Sequence, residues 1–273
     1  MPDRARGPNG RSARANPQDQ AAGLRRLFAP PESQWLPILL APGRETGDTR
    51  WLARFAGAWA EQGARTLVVD AARAQVGAAF GLRIRYDLAH ALEGDCRPAQ
   101  VCVQAGENLR VLAASRALAH DGRASDAAHR FQAGVRALAA GADCTLLVLS
   151  RPHRPVLAGF SGSQGYSDVI MLVDADPDAY QRAMQTMRAA SSAAEIDTFR
   201  LLFQGMDAPC AGRLYLRLAA AAARELGART SDAGHADDAG AISRLVRAVR
   251  CRGIRVSQRV PGEKRVTAVE TVS

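Results

Sequence analysis

The chain has 273 residues, 47% of them hydrophobic, with a net charge of +9 at neutral pH and a pI near 10.1. That length and apolar content can bury a substantial core, which excludes a disordered or fibrous chain and allows one large domain or two small ones. The basic balance does not point to nucleic acid: of 36 lysines and arginines only Lys264 is lysine, and the arginines are spread along the chain instead of gathered in a patch.

Residues 1–16 are dominated by Arg, Gly, Pro, Ser and Asn, a composition that reads as a flexible tail. Residues 19–28 read as a short amphipathic helix: Asp19 stands at the N-cap, Ala21, Leu24, Leu27 and Phe28 recur at helical spacing, and Pro30 and Pro31 end it. From Trp35 the pattern becomes strands alternating with helices. Residues 34–41 predict a strand, 42–49 a turn, 50–62 a helix with Trp51, Leu52, Phe55 and Trp59 on one face, and 66–70 a buried strand ending in Asp70. Further strands are predicted at 109–113, 145–149, 168–173 and 199–203, and helices around 125–140, 177–190 and 211–226. This alternation implies an α/β fold, a mostly parallel central sheet covered by helices on both faces.

Residues 151–166 are rich in Pro, Gly and Ser and predict a loop at the carboxyl end of the 145–149 strand, where open α/β sheets bind ligands. Residues 228–240 are polar and also read as loop. A last helix is predicted at 241–251, with Ile242, Leu245, Val246 and Val249 on one face and Arg244, Arg247 and Arg250 around it, before a loose tail. The expected organisation is an N-terminal region 1–33, an α/β domain 34–230, and a basic helix with tail 231–273.

The turn at 42–49 is the most informative segment. A phosphate-binding loop reads G-x-x-x-x-G-K-[ST], and this turn keeps Gly47 and Thr49 but carries Asp48 in place of the lysine. Two like charges about 4 Å apart repel by roughly 4 kcal/mol at an effective dielectric near 20, and the lysine's attraction is lost as well. Only Arg44 or Arg50 could substitute. Other chemistries are thinly supported. Cys96, Cys102, Cys144, Cys210 and Cys251 form no C-x-x-C pair and read as reduced, mostly buried thiols. His90, His120, His129, His153 and His235 are scattered. His153 lies in the 151–166 loop without a serine and carboxylate arrangement, so neither a metal centre nor a Ser-His-Asp site is expected. No apolar run approaches ~18 residues and the N-terminus has no signal-peptide pattern, so the expected location is cytoplasmic.

With the strand, loop, helix and strand ending in Asp70 in place, residues 36–226 resemble the MinD/ParA group of P-loop ATPases. The segment Asp19-Gln20-Ala21-x-x-Leu24-Arg25 narrows the resemblance to FlhG (FleN), the members that regulate flagellar number and placement. Further echoes are residues 61–70, the stretch from Gly77 to Gly94, residues 109–115 and Asp176-Pro177-Asp178-Ala179-Tyr180. In that family the D-Q-A-x-x-L-R helix stimulates the GTPase FlhF. The resemblance therefore implies a partner role for Asp19, Gln20, Leu24, Arg25, Leu27 and Phe28, with Gln20 orienting the attacking water and the apolar residues as docking anchors.

The departures from the family pattern set the expected chemistry. Its G-K-G-G-V-G-K-T loop falls on Pro42-Gly43-Arg44-Glu45-Thr46-Gly47-Asp48-Thr49, so the lysine that reaches across the family dimer falls on Gly43 and the second on Asp48. Asp70 keeps the first acid of D-x-D, but the second falls on Ala72, the acid after the next core strand falls near Val148 or Leu149, and the adenine-reading asparagine falls on Gln204. The expectation is a pseudo-ATPase with no catalytic residues, no metal and no cofactor. ATP and magnesium would bind only if the divergent pocket still functions. Without nucleotide the chain should be monomeric. The expected partners are an FlhF-type GTPase and flagellar switch or basal-body proteins, at the cell pole. Ile242, Leu245, Val246, Val249, Arg244 and Arg247 would offer weak peripheral membrane contact if their helix were exposed, or pack on the sheet if it were not. The alternatives are an active but divergent MinD-like ATPase and a MinD-like scaffold for another polar or secretion assembly.

Overall fold

A computed structural model describes residues 33–40, 49–73, 75–118, 124–160 and 168–256. The strands are β1 (Gln34–Leu40), β2 (Thr66–Asp70), β3 (Cys102–Gly106), β4 (Leu109–Ala113), β5 (Cys144–Leu149), β6 (Val169–Asp174), β7 (Thr198–Gln204) and β8 (Arg229–His235). The helices are α1 (Arg50–Glu61), α2 (Val76–Ala79), α3 (Leu88–Glu93), α4 (Pro98–Val101), α5 (Ala124–Ala139), α6 (Arg154–Phe160), α7 (Ala179–Ala194), α8 (Ala208–Leu226) and α9 (Ala239–Val256). The strands form one sheet in the order β3-β4-β2-β5-β1-β6-β7-β8. All neighbours are parallel except the β3–β4 pair at one edge.

The expected two-faced sheet follows from the apolar runs of its central strands, whose successive side chains point to opposite sides. On one face Leu67, Val69, Leu147, Leu149, Met171 and Val173 pack with Phe131 and Val135 of α5, Val156 of α6, Met184 and Met187 of α7 and Leu218 of α8. On the other, Ile38, Val68, Leu146, Val148, Ile170 and Leu172 pack with Trp51, Leu52, Phe55 and Trp59 of α1. The aliphatic face of α9 completes this second layer: Ile242, Leu245, Val246 and Val249 are at most 3% exposed. That burial corrects the membrane-surface expectation for these four residues, which face the protein's own core, while Arg244 and Arg247 remain exposed.

Other predictions need correcting. The 228–240 stretch holds β8, and a boundary at 230 falls inside that strand. Its composition is polar because it is an edge strand, half-exposed and held chiefly by the backbone edge of β7. The 151–166 loop contains α6, whose Phe160 stacks on Trp35 at 4.3 Å between ring centroids. The last helix is longer than predicted at both ends. Cys144 is buried and Cys96 and Cys102 are half-buried, but Cys210 is exposed on the first turn of α8.

Candidate functional site

Register places the carboxyl ends of the central strands along one edge of the sheet. Leu39 of β1 pairs with Leu149 of β5, Leu40 with Leu172 of β6, Asp70 of β2 with Val148 of β5, and Asp174 of β6 with Gln204 of β7. This is the edge on which a parallel α/β sheet places ligands. Asp70 and Gln204, two of the residues singled out from sequence, are thus brought to the same edge. Thr49 begins the chain's return into α1: its carbonyl accepts from Leu52 and Ala53 N–H, and its hydroxyl makes no capping bond to that helix. Gly43, Arg44, Gly47 and Asp48 lie outside the described residues, as do Asp19, Gln20, Leu24, Arg25, Leu27 and Phe28.

Asp70 is buried at 6% exposure, and its carboxylate turns back on the chain that follows it. One oxygen accepts the Ala72 N–H at 3.2 Å and the other the Val76 N–H at 3.1 Å. Between those two bonds the backbone is strained, since Arg73 has φ +58° and Gln75 has φ +51°, left-handed values unusual for residues bearing a Cβ. The carboxylate therefore fastens a contorted connection to the first turn of α2. Ala72, where the resemblance would place a second acid, is a half-buried methyl group in that connection.

The end of β5 is apolar. Val148 is 0% exposed and Leu149 2%, and the two belong to the cores on opposite faces of the sheet. A carboxylate expected beside β1 on this fold has no counterpart in this pair. An acid does occur on the other flank of β1, at Asp174, one residue past the strand predicted at 168–173 and not singled out from sequence. Burial pushes its carboxyl above the ordinary range, and the charge of Arg182 opposes that rise. The adjoining Asp176-Pro177-Asp178-Ala179-Tyr180 was singled out, but as an echo of the family pattern. Gln204 is buried beside Asp174, and its backbone carbonyl accepts the Ala175 N–H at 2.9 Å. After β5, His153 is half-buried with its Nδ1 unbonded, and burial, reinforced by Arg151, pulls its pKa down.

Among the described residues no three His, Cys, Asp or Glu side chains group to hold a metal ion. No helix among them is long and apolar enough to cross a membrane.

No family model matches the sequence, and no curated protein matches it. Solved structures do. The cobyrinic acid a,c-diamide synthase of Mycobacterium smegmatis, with bound ADP and magnesium, is 17% identical over 85% of this chain and 100% of its own, with a TM-score of 0.57. MinD in the MinC:MinD cell division complex of Aquifex aeolicus is 17% identical over 84% of this chain and 98% of that one, at a TM-score of 0.53. A ParA family ATPase from Chlorobium tepidum TLS is 12% identical over 84% and 94%, at 0.54. At these identities the likeness establishes the fold, a mostly parallel eight-stranded sheet of the MinD/ParA P-loop type.

Proposed function

We propose that this chain is an FlhG-like regulatory protein that acts on a partner GTPase of the FlhF type through residues 19–28, with a nucleotide pocket that does not hydrolyse ATP. The observation that supports the loss of hydrolysis is the end of β5. Phosphoryl transfer on this fold depends on positioned charge, and a buried Val148 and Leu149 supply none. Asp70 adds to it, because both its oxygens accept backbone N–H bonds from the following connection. A protein partner accords with the architecture, since MinD of the same fold is known in complex with MinC. The partner role of Asp19, Gln20, Leu24, Arg25, Leu27 and Phe28 rests on their sequence pattern. The flagellar setting, a polar location and the monomeric state belong to the same proposal.

The test has two arms. A peptide spanning residues 17–29 raises GTP hydrolysis by the partner, and Gln20→Ala removes that effect. No stimulation by either peptide would remove the flagellar assignment and leave the reading of a MinD-like scaffold for another assembly. Titration of the whole chain with ATP and magnesium gives no saturable binding at micromolar concentration and no turnover. Magnesium-dependent turnover would favour the second reading, an active divergent ATPase. Asp70 kept at the end of β2, and ADP with magnesium on a protein of the same fold, favour that reading.

A further inference from the structure

The side of α8 turned away from the sheet combines an exposed leucine with a row of exposed arginines. Leu216 is 66% exposed and is the one large hydrophobic side chain among the described residues that is exposed to water. At the helical repeat Leu216, Ala220 and Ala223 fall along one edge of this face, and Arg213, Arg217 and Arg224 along the adjoining edge. All six are exposed. The inward side is accounted for separately by Ala211, Leu218, Ala221 and Ala222, which are buried.

The charge on this face is one-signed. From Ala208 to Arg224 α8 contains no acid, and the first, Glu225, already accepts bonds from Arg188 and, at 3.1 Å, Arg224. Arg213 and Arg217 make no ion pair among the described residues; Arg217 lies over the Tyr180 ring at 4.6 Å, which holds its guanidinium in place without neutralising it. Small side chains at 220 and 223 let another helix approach closely beside the Leu216 ridge. We infer that the outward face of α8 is a docking surface for an acidic amphipathic helix of a partner protein, whose apolar stripe sits on Leu216, Ala220 and Ala223 and whose carboxylates face Arg213 and Arg217.

Charge complementarity selects this occupant over others. A second copy docking through the same face by two-fold symmetry would set each arginine row against the other, like charge against like. Nucleic acid would engage the arginines but leaves Leu216 unused. A membrane surface gains little from Ala220 and Ala223, whose small side chains instead suit the close approach of a second helix.

The test is fluorescence anisotropy of the full chain with a labelled synthetic helix that carries leucines on one face and glutamates beside them. A scrambled peptide of equal composition, a short DNA duplex and phosphatidylserine vesicles serve as competing probes. The expected result is saturable binding of the amphipathic peptide, roughly tenfold weaker for the scrambled peptide and for Leu216→Glu, Leu216→Ser or Arg213→Glu chains. Arg244→Glu, on α9, should leave the affinity unchanged. All these positions are exposed, and circular dichroism verifies that the variants fold. The inference is overturned if the amphipathic peptide fails to bind, if the scrambled one binds equally, if neither Leu216 variant weakens binding, or if DNA or vesicles bind in preference to the peptide.

Discussion

The Asp70→Asn substitution separates a structural carboxylate from a metal-holding one. In the folded chain Asp70 accepts two backbone N–H bonds at 3.1 and 3.2 Å in a site only 6% exposed. Bonds to a charged acceptor contribute about 1.5–3 kcal/mol each. Asparagine keeps one carbonyl oxygen and turns an NH2 group toward the other donor, so charge assistance is lost at both bonds and one buried N–H loses its acceptor. The expected cost is about 2–4 kcal/mol, a large part of the ~5–15 kcal/mol that holds a domain together. Urea denaturation followed by circular dichroism reads it as a lower midpoint at unchanged slope. A second substitution tests the cause. Gln75→Gly relieves a left-handed residue that costs about 1–2 kcal/mol, against roughly 0.5–1 kcal/mol of added chain entropy, so it should stabilise slightly. Because both changes act on one connection, the double variant should lose less than the sum of the single changes. If Asp70→Asn changes stability by less than about 1 kcal/mol while abolishing an ATPase activity, the carboxylate serves a metal and the structural account is wrong.

Arg200 lies under 10% exposed with its Nε and Nη2 on one Asp168 oxygen at 3.0 and 2.8 Å, so Arg200→Met, which takes the guanidinium away from a buried carboxylate, should lower stability by up to about 3–5 kcal/mol. The double change Asp168→Leu, Arg200→Met should recover most of it in the same urea experiment. Gly159→Ala places a methyl group 2.0–2.2 Å from the end of Gln132, whose Nε2 donates to the Pro155 carbonyl at 2.6 Å. The side chain must swing away, and thermal melting should register about 1–2 kcal/mol for that buried bond. His153 has its pKa lowered by burial and by Arg151, so below its unfolded value near 6.5 the unfolded chain binds more protons. Its contribution is full above that pH and is lost as pH falls toward the folded pKa; His153→Gln should flatten the stability profile there. Asp174 shows the opposite sign. Its raised carboxyl means the folded chain binds more protons just above the ordinary aspartate value, so Asp174→Asn should raise the urea midpoint at pH 7 and leave it nearly unchanged in strong acid.

Residues with two buried faces announced themselves in the sequence. Thr66–Asp70, Cys144–Leu149 and Thr198–Gln204 are near-continuous apolar runs because both faces of the sheet are covered, and α1, α5 and α8 declare one apolar face each. The edges did not. β8 is Arg-Thr-Ser-Asp-Ala-Gly-His, a sequence with no strand signal, whose pairing is imposed by the free edge of β7 and whose register shifts at a bulge opposite Leu201 and Leu202. The aliphatic stripe of α9 was visible, but whether it met lipid or protein depended on α1, a helix nearly two hundred residues earlier in the chain. At the site, the identity of each strand end was readable and its use was not. Nothing in the letters shows that Asp70 bends back to hold Val76, or that Arg73 and Gln75 adopt left-handed backbone between them.

The same geometry sets what a carboxylate at the end of β5 would cost. An acid at the end of β5 would have to replace Val148, packed against α1 and α9, or Leu149, packed in the layer beneath α5 and α6. Either position is essentially closed to water, and an unpaired carboxylate there would be protonated or would unfold its surroundings before it could assist a metal. Asp70, meanwhile, stabilises a strained connection through the oxygens a metal site would use. Val148, Leu149 and Asp70 at this edge each serve the stability of the sheet and the connection that follows it. The outward face of α8 carries Leu216, exposed to water, beside the exposed Arg213 and Arg217. On the function proposed above, residues 19–28 and a surface of that kind are where the chain would meet its partners.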